Sequence, residues 1–323
     1  VTDGNSGAVL AGTTHAQAVK MDIRGWSGTS DTTAMQRLAS RCWPRGLHPG
    51  GLGWSQATGQ VGDQIVVVEG AEGEVEGWAA VGQPDSLMLQ VAHDRPDAAH
   101  ALFGWLLRTA EGPTLSVTVF DEQSRKMFTQ AGFERATPPF GFYAMNEPGL
   151  GAPTDAVSGA VPAGYAIRSV RSDEVDARVA VHRASWKPVD LPFHPDHDPH
   201  LDESWSSSFS LDAYRRVQDT HLYDTQFDLI VKAPDGSLAG CCIGWFDATT
   251  GWTEIEPLGV VPAHRRFGLA AALCAEIATR TAAAGGHHVF INTGSSNSYP
   301  GPYRAYQKAG FTPFVPGETL IKG

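Results

Sequence analysis

The chain has little cysteine, no surplus of positive charge and no long apolar run. Its four cysteines, Cys42, Cys241, Cys242 and Cys274, lie in 323 residues at spacings that match no zinc site. Cys241 and Cys242, adjacent on an expected strand, point to opposite faces, and all four read as buried thiols. No stretch approaches the ~18–20 apolar residues of a membrane span, so no membrane partner is expected. A net charge of −11 argues against the basic surface that nucleic acid demands and suits a cationic partner. The stretch Val1 to Lys20 lacks the charged-then-apolar order of a signal peptide. It reads as a disordered tail (1–20), and a cytoplasmic location is expected.

What is present is a strand that runs into a glycine-containing turn and then a helix, from Glu256 through Val260-Val261-Pro262-Ala263-His264-Arg265-Arg266-Phe267-Gly268-Leu269-Ala270. A helix N-terminus leaves backbone N–H groups unpaired and carries partial positive charge, so such a turn cradles a phosphate or pyrophosphate. Gly268 lets the backbone approach the anion, and Arg265 and Arg266 add charge beside it. Leu269, Leu273 and Ile277, four apart, predict a buried amphipathic helix, which Gly285-Gly286 stops.

The chain also repeats itself. Ile23-Arg24 opens a strand-then-helix segment ending in Cys42-Trp43-Pro44, and Ile167-Arg168 opens one ending in Ser185-Trp186-Lys187-Pro188. Hairpins are expected over residues 65–81 and 228–245, the second turning at Asp235-Gly236. Strand, long helix and strand recur as Ser86 to Ala92, Ala98 to Leu107 and Leu115 to Val119, and Phe128 to Phe133 mirrors Tyr306 to Phe311. Between the copies Gly, Pro, Ala and Ser dominate, the composition of a linker.

The spacing Val-x-Pro-x-x-Arg-x-x-Gly-x-Ala over Val260 to Ala270 resembles the acyl-CoA loop of the GNAT superfamily of N-acyltransferases. Tyr306-Gln307-Lys308-Ala309-Gly310-Phe311 resembles that superfamily's Tyr-x-x-x-Gly-Phe ending. The resemblance implies an α/β (α+β) chain of two tandem GNAT domains, each a mixed, mostly antiparallel twisted sheet flanked by helices. Its expected divisions are a degenerate N-terminal domain (21–147), a linker (148–163) and a catalytic C-terminal domain (164–323). Tandem chains of this length resemble the actinobacterial, mycothiol synthase-like architecture. The first copy has no glycine at Val91 to Ala101, carries Asp94 and Asp97 where a pyrophosphate would sit, and has Phe128 in place of the tyrosine.

The resemblance further implies acetyl-CoA as acyl donor and a small-molecule amine as acceptor, in a monomer or homodimer that needs no metal. Residues Val260, Val261, Arg265, Arg266, Phe267, Gly268, Leu269 and Ala270, with Asn297, are the expected donor contacts, and a backbone N–H at Val260 or Val261 would hold the thioester carbonyl. Tyr306 aligns with the tyrosine that protonates the departing sulfur. Glu254 and Glu256, two apart, share a face of an unbulged strand, and either is a candidate base. The acidic, histidine-bearing segment Pro192 to Ser210 is expected to cover the acceptor. A non-catalytic acyl-CoA-binding or sensing protein, or an acyltransferase using a longer donor, remains the alternative.

Overall fold

The computed structural model describes residues 22–82, 86–136, 149–187, 206–293, 300–314 and 317–323. The expected tail, Asn297 and most of the expected acceptor cover lie outside them. The first half runs β1 (Ile23–Gly25), α1 (Thr29–Cys42), α2 (Pro49–Ala57), β2 (Gln64–Glu69), β3 (Val75–Gly82), β4 (Ser86–Val91), α3 (Pro96–Thr109), β5 (Leu115–Val119), α4 (Glu122–Gln130) and β6 (Glu134–Arg135). Then come β7 (Leu150–Pro153), β8 (Ala166–Ser169), α5 (Val175–Ser185), α6 (Leu211–Gln218), β9 (Asp228–Lys232), β10 (Leu238–Asp247) and β11 (Trp252–Val260). The chain continues through α7 (Leu269–Ala283), β12 (His288–Ile291), α8 (Pro300–Lys308), β13 (Thr312–Pro313) and β14 (Glu318–Lys322).

These strands form two seven-stranded sheets of one plan, ordered β1-β2-β3-β4-β5-β14-β6 and β8-β9-β10-β11-β12-β7-β13. Within each sheet one pair is parallel, β4 with β5 and β11 with β12, and the other pairs are antiparallel. This is the mixed, mostly antiparallel architecture that the resemblance implies, and the internal copies coincide element by element.

The expected linker is corrected by the structure. Residues 150–153 are strand β7, inserted between β12 and β13, with Leu150 and Ala152 buried in the second core. The last strand, β14, crosses back to lie between β5 and β6 of the first sheet. Each half therefore lends the other the strand that fills the same slot, and a cut at residue 163 would open both sheets. A four-residue Leu-Gly-Ala-Pro strand has the composition of a turn, and only its pairing partners make it a strand.

Helix α7 packs on one face of the second sheet with Leu269, Leu273 and Ile277 at 0–1 % exposure, the stripe expected from their spacing. Side chains of this size contribute roughly 1.5–3 kcal/mol each when fully buried. On the opposite face lie α5 and α6, joined by α2 from the first half, with Trp54, Phe209, Tyr214 and Trp245 in one cluster. Within it the Arg178 Nε donates to Asp228 at 2.8 Å, and the Tyr214 hydroxyl donates to the same carboxylate at 2.6 Å.

Candidate active site

The site begins where two parallel strands part. β11 pairs with β12 only as far as Glu254 opposite Phe290, then runs on to Val260 along β10 alone. The Val261 N–H donates to the Ala239 carbonyl of β10 at 2.9 Å. Because strand groups alternate, the N–H and C=O of Val260 turn the other way, into the opening between β11 and β12. Arg265 caps that side: its Nε donates to the Val260 carbonyl at 3.1 Å. Of the two expected carbonyl-binding amides, Val261 is thus occupied, and Val260 is the one that faces the opening.

The loop after β11 delivers the helix. Gly268 is the N-cap of α7 in the left-handed region, φ 86° and ψ 6°, with no side-chain cap. A side chain there would meet nothing within 4 Å, so the space before it is open. The Ala272 N–H donates to the Gly268 carbonyl, which leaves the N–H groups of Leu269, Ala270 and Ala271 in the first turn without a helical acceptor. Arg266 also has a positive φ, 66°, and it and Phe267 are exposed. The Leu269 side chain is core, so its share in a site comes through its backbone. Arg265 is engaged by the protein itself. Its Nη2 donates to the Ser185 and Lys187 carbonyls at 3.0 and 3.2 Å, so its guanidinium ties the loop to the end of α5.

The two glutamates do not share a face in the simple way that two-residue spacing suggests. Cys242 stands opposite Leu258 and Gly244 opposite Ile255, so β11 holds one residue more than β10 here. Pro257, which has no N–H for the ladder, sits in that bulge beside Glu256. Thr253 and Ile255 face α7, through the Thr253–Thr281 hydroxyl contact at 2.7 Å and the shared core. Glu254 therefore faces α2. Its Oε2 accepts the Gly51 N–H at 2.6 Å and its Oε1 accepts Asn292 Nδ2 at 3.0 Å, with His48 Nδ1 3.2 Å from Oε2. Both oxygens are engaged. Glu256 is half-buried, and burial together with the Glu254 carboxylate pushes its carboxyl up to about 8. The Trp245 indole holds the Glu256 carbonyl at 2.5 Å, which anchors the bulge.

Tyr306 lies on α8 in the same core as Leu269 and Leu273 of α7. It is 6 % exposed, with its ring 6.2 Å from that of Phe311. Asn297 lies outside the described residues, as do Asp196, Asp198, Asp202 and Glu203 of the expected acceptor cover. At the end of that segment Phe209 packs on His182 at 4.1 Å and on Trp54 at 5.3 Å. Burial and the Arg178 charge push the His182 imidazole down to about 2, so it is a neutral aromatic there.

The first half has the same opening with different residues around it. β4 and β5 pair only at Ser86–Ser116 and Leu87–Val117 before parting, and a cavity lined by Gln90, Arg95 and Asp121 lies there. Its helix α3 has Arg95 as N-cap with φ −117°, and Arg95 pairs with Asp97 at 3.1 Å and with Glu76. Phe128, fully buried against Phe133, takes the place of Tyr306.

His48 and Gly51 reach Glu254 from about 200 residues away in sequence, and no spacing signals them. The place of Asn292 beside Glu254 is a product of where β12 ends.

Residues 195–311 match the family model of the acetyltransferase (GNAT) family. Among solved structures, the chain is similar to a tandem GNAT protein from the clavulanic acid biosynthesis pathway, at 15 % identity and TM-score 0.57, covering 94 % of this chain and 98 % of that one. A GCN5-related N-acetyltransferase from Sphaerobacter thermophilus gives 17 % identity and TM-score 0.54, with 94 % and 96 % covered. A GNAT-family acetyltransferase from Colwellia psychrerythraea gives 14 % and 0.55, with 93 % and 98 % covered. These likenesses establish the fold over 93–94 % of the chain. No curated protein matches the chain.

Proposed function

From a chain whose C-terminal half carries a GNAT-family acetyltransferase domain, we propose an N-acetyltransferase that moves the acyl group of acetyl-CoA directly to a small amine in that half. The first half, in this reading, is a non-catalytic member of a tandem, mycothiol synthase-like pair. The observation that carries it is the placement on one strand and its following loop of three functions: Glu256, the outward Val260 N–H and the open, left-handed Gly268 turn.

The donor fits this chain. Gly268 leaves space that a side chain would fill, and the first-turn N–H groups of Leu269, Ala270 and Ala271 suit a pyrophosphate, with Arg266 beside them. When bound, acetyl-CoA supplies a thioester carbonyl and a thiolate leaving group. Glu256 takes a proton from the incoming ammonium, directly or through water, so that the free amine attacks the carbonyl carbon. The Val260 N–H stabilises the oxygen as negative charge develops there. Tyr306 gives its proton to the sulfur as the carbon–sulfur bond breaks, and the surplus proton on the attacking nitrogen returns to the tyrosinate, leaving a neutral amide and a thiol. The segment 192–210 is acidic in sequence, with Asp196, Asp198, Asp202 and Glu203, which suits a cationic acceptor.

The test is thiol release from acetyl-CoA across a panel of polyamines, amino sugars and amino acids, followed with a thiol reagent. The four protein cysteines are buried and contribute little background. Amine-dependent release supports the reading. Tight acetyl-CoA binding with no release for any amine would favour an acyl-CoA-binding protein instead.

A further inference from the structure

The first half carries a cavity that the proposed chemistry does not use. It lies where β4 and β5 part, beyond Leu87 opposite Val117, and is lined from one face of the sheet by Phe128 of α4 and from the other by Gly46, just after α1. Its volume of about 50 Å³ is enough for more than one water molecule. Gln90 lines the same cavity and is 5 % exposed, yet neither its Oε1 nor its Nε2 has a hydrogen-bond partner among the described residues. The neighbouring Cys42 thiol donates instead to the Val91 carbonyl at 3.6 Å, and sulfur is a weak acceptor. Burying a carboxamide with both ends unpaired is costly, and native chains satisfy almost all such groups. The fold has made room for this one: a Cβ at Gly46 would lie 2.2 Å from Gln90 Nε2, so glycine is what admits the amide. Beside it, the Ala92 N–H donates to the Glu76 carbonyl of β3 at 2.8 Å, which turns the Val91 N–H the other way, toward the opening.

The charged groups around the cavity are engaged or lie at its rim. Asp121 accepts the Ser124 N–H and hydroxyl at 2.8 and 2.7 Å, Arg95 pairs with Asp97 and Glu76, and Arg45 and His93 are exposed. The turn that opens α3 does not suit a pyrophosphate, because Pro96 removes one N–H from the first turn and Asp97 places a carboxylate in it. What the cavity offers is a donor and an acceptor side by side, between apolar walls that include Leu89, Val117 and Phe128.

We propose that this cavity is a binding site for a small molecule ending in a primary or cyclic amide, whose carbonyl and N–H pair with Nε2 and Oε1 of Gln90. Such a group presents an acceptor and a donor on one edge, the complement of a carboxamide. A carboxylate has no donor at neutral pH, and a ketone has none at any pH. The site shares no residue with Glu256, Val260 or the Gly268 turn, and it stands whether or not the second half acetylates an amine.

The experiment is saturation-transfer NMR on the full chain. The probes are butyramide and pyrrolidinone, set against butyrate and methyl propyl ketone, which match butyramide in size and lack its donor. Probes this small bind at best in the millimolar range. Both amides should bind saturably, and butyrate and the ketone at least about 10-fold more weakly, the discrimination expected when a buried polar group is left without its partner. Gln90→Leu should abolish amide binding. Gly46→Ala, whose methyl displaces the amide, should weaken it, and that variant carries the comparison alone if Gln90→Leu does not fold. Acetyl-CoA should not displace either amide. The proposal is overturned if neither amide binds, if butyrate or the ketone binds as well as the amides, or if binding survives unchanged in the folded variants. Displacement of the bound amide by acetyl-CoA would overturn it too, by giving the cavity to the acyl donor.

Discussion

Gly268 offers the sharpest test of the donor site, because two substitutions of nearly equal shape can be set against each other there. Its φ of 86° lies in the left-handed region, which asparagine and aspartate tolerate better than other side chains. No atom stands within 4 Å of a Cβ at this position, so neither residue collides with the protein. Gly268→Asn and Gly268→Asp should therefore fold alike and lose a similar, modest amount of stability. They differ by one negative charge at the mouth of the first-turn N–H groups. A carboxylate about 4 Å from a phosphate charge costs roughly 1 kcal/mol in water and about 4 kcal/mol at the effective dielectric of a protein surface. The Asp variant should thus bind acetyl-CoA about 5- to 1000-fold more weakly than the Asn variant. Titration calorimetry at low and high salt reads both numbers, and the gap should narrow as salt screens the repulsion. Equal affinities in the two variants at low salt would mean that no anion sits at Gly268. The donor would then belong elsewhere, the cavity between β4 and β5 being the first place to look.

Four further expectations concern the proposed chemistry and the fold. With a carboxyl that loses its proton near 8, kcat/KM should rise with pH to a plateau above that value, and Glu256→Gln should remove the limb along with most of the activity. The same raised value means that the folded state holds a proton that the unfolded chain has released above its ordinary carboxylate range. Stability should therefore fall as pH rises toward 8, less steeply in Glu256→Gln, as denaturant titrations at several pH values would reveal. Tyr306→Phe keeps a ring in the α7–α8 core and should cut turnover by roughly 10²-fold with acetyl-CoA affinity little changed; unaltered turnover would exclude it as the proton donor. Asp228→Ala leaves the fully buried Arg178 without its carboxylate and should cost about 3–5 kcal/mol in chemical denaturation, and a loss below about 1 kcal/mol would contradict the buried pairing.

The elements that the sequence announces are those whose signals are local. The α7 stripe, the turn at Gly268, the hairpin at Asp235-Gly236 and the repeated strand–helix openings all depend on spacing within one or two turns of chain. Even an ion pair is repeated: Arg24 binds Asp31 and Arg168 binds Glu174, each holding the acid down to about 2. Helix α2 is different. Pro-Gly-Gly-Leu-Gly-Trp reads as a turn, and three glycines disfavour an isolated helix by roughly 1 kcal/mol each. Packing against Trp245, Glu254 and Gln36, where larger residues would collide, is what makes it helical.

By itself the sequence determined that this chain is a doubled α/β fold, that its second copy carries the glycine turn at Gly268 and Tyr306, and that the first copy has neither at the matching places. Each of those is a statement about neighbours along the chain, where bond geometry and side-chain period act directly. Tertiary structure alone decided that β7 and β14 change places between the sheets and that Val260 rather than Val261 faces the opening. It also decided that Arg265 serves carbonyls and that Glu254 is claimed by the first half while Glu256 is left in the bulge. These outcomes turn on which backbone groups find partners first. A strand residue's N–H is free or occupied according to a strand that approaches from elsewhere, and the Glu254 carboxylate is engaged by a helix end about 200 residues away.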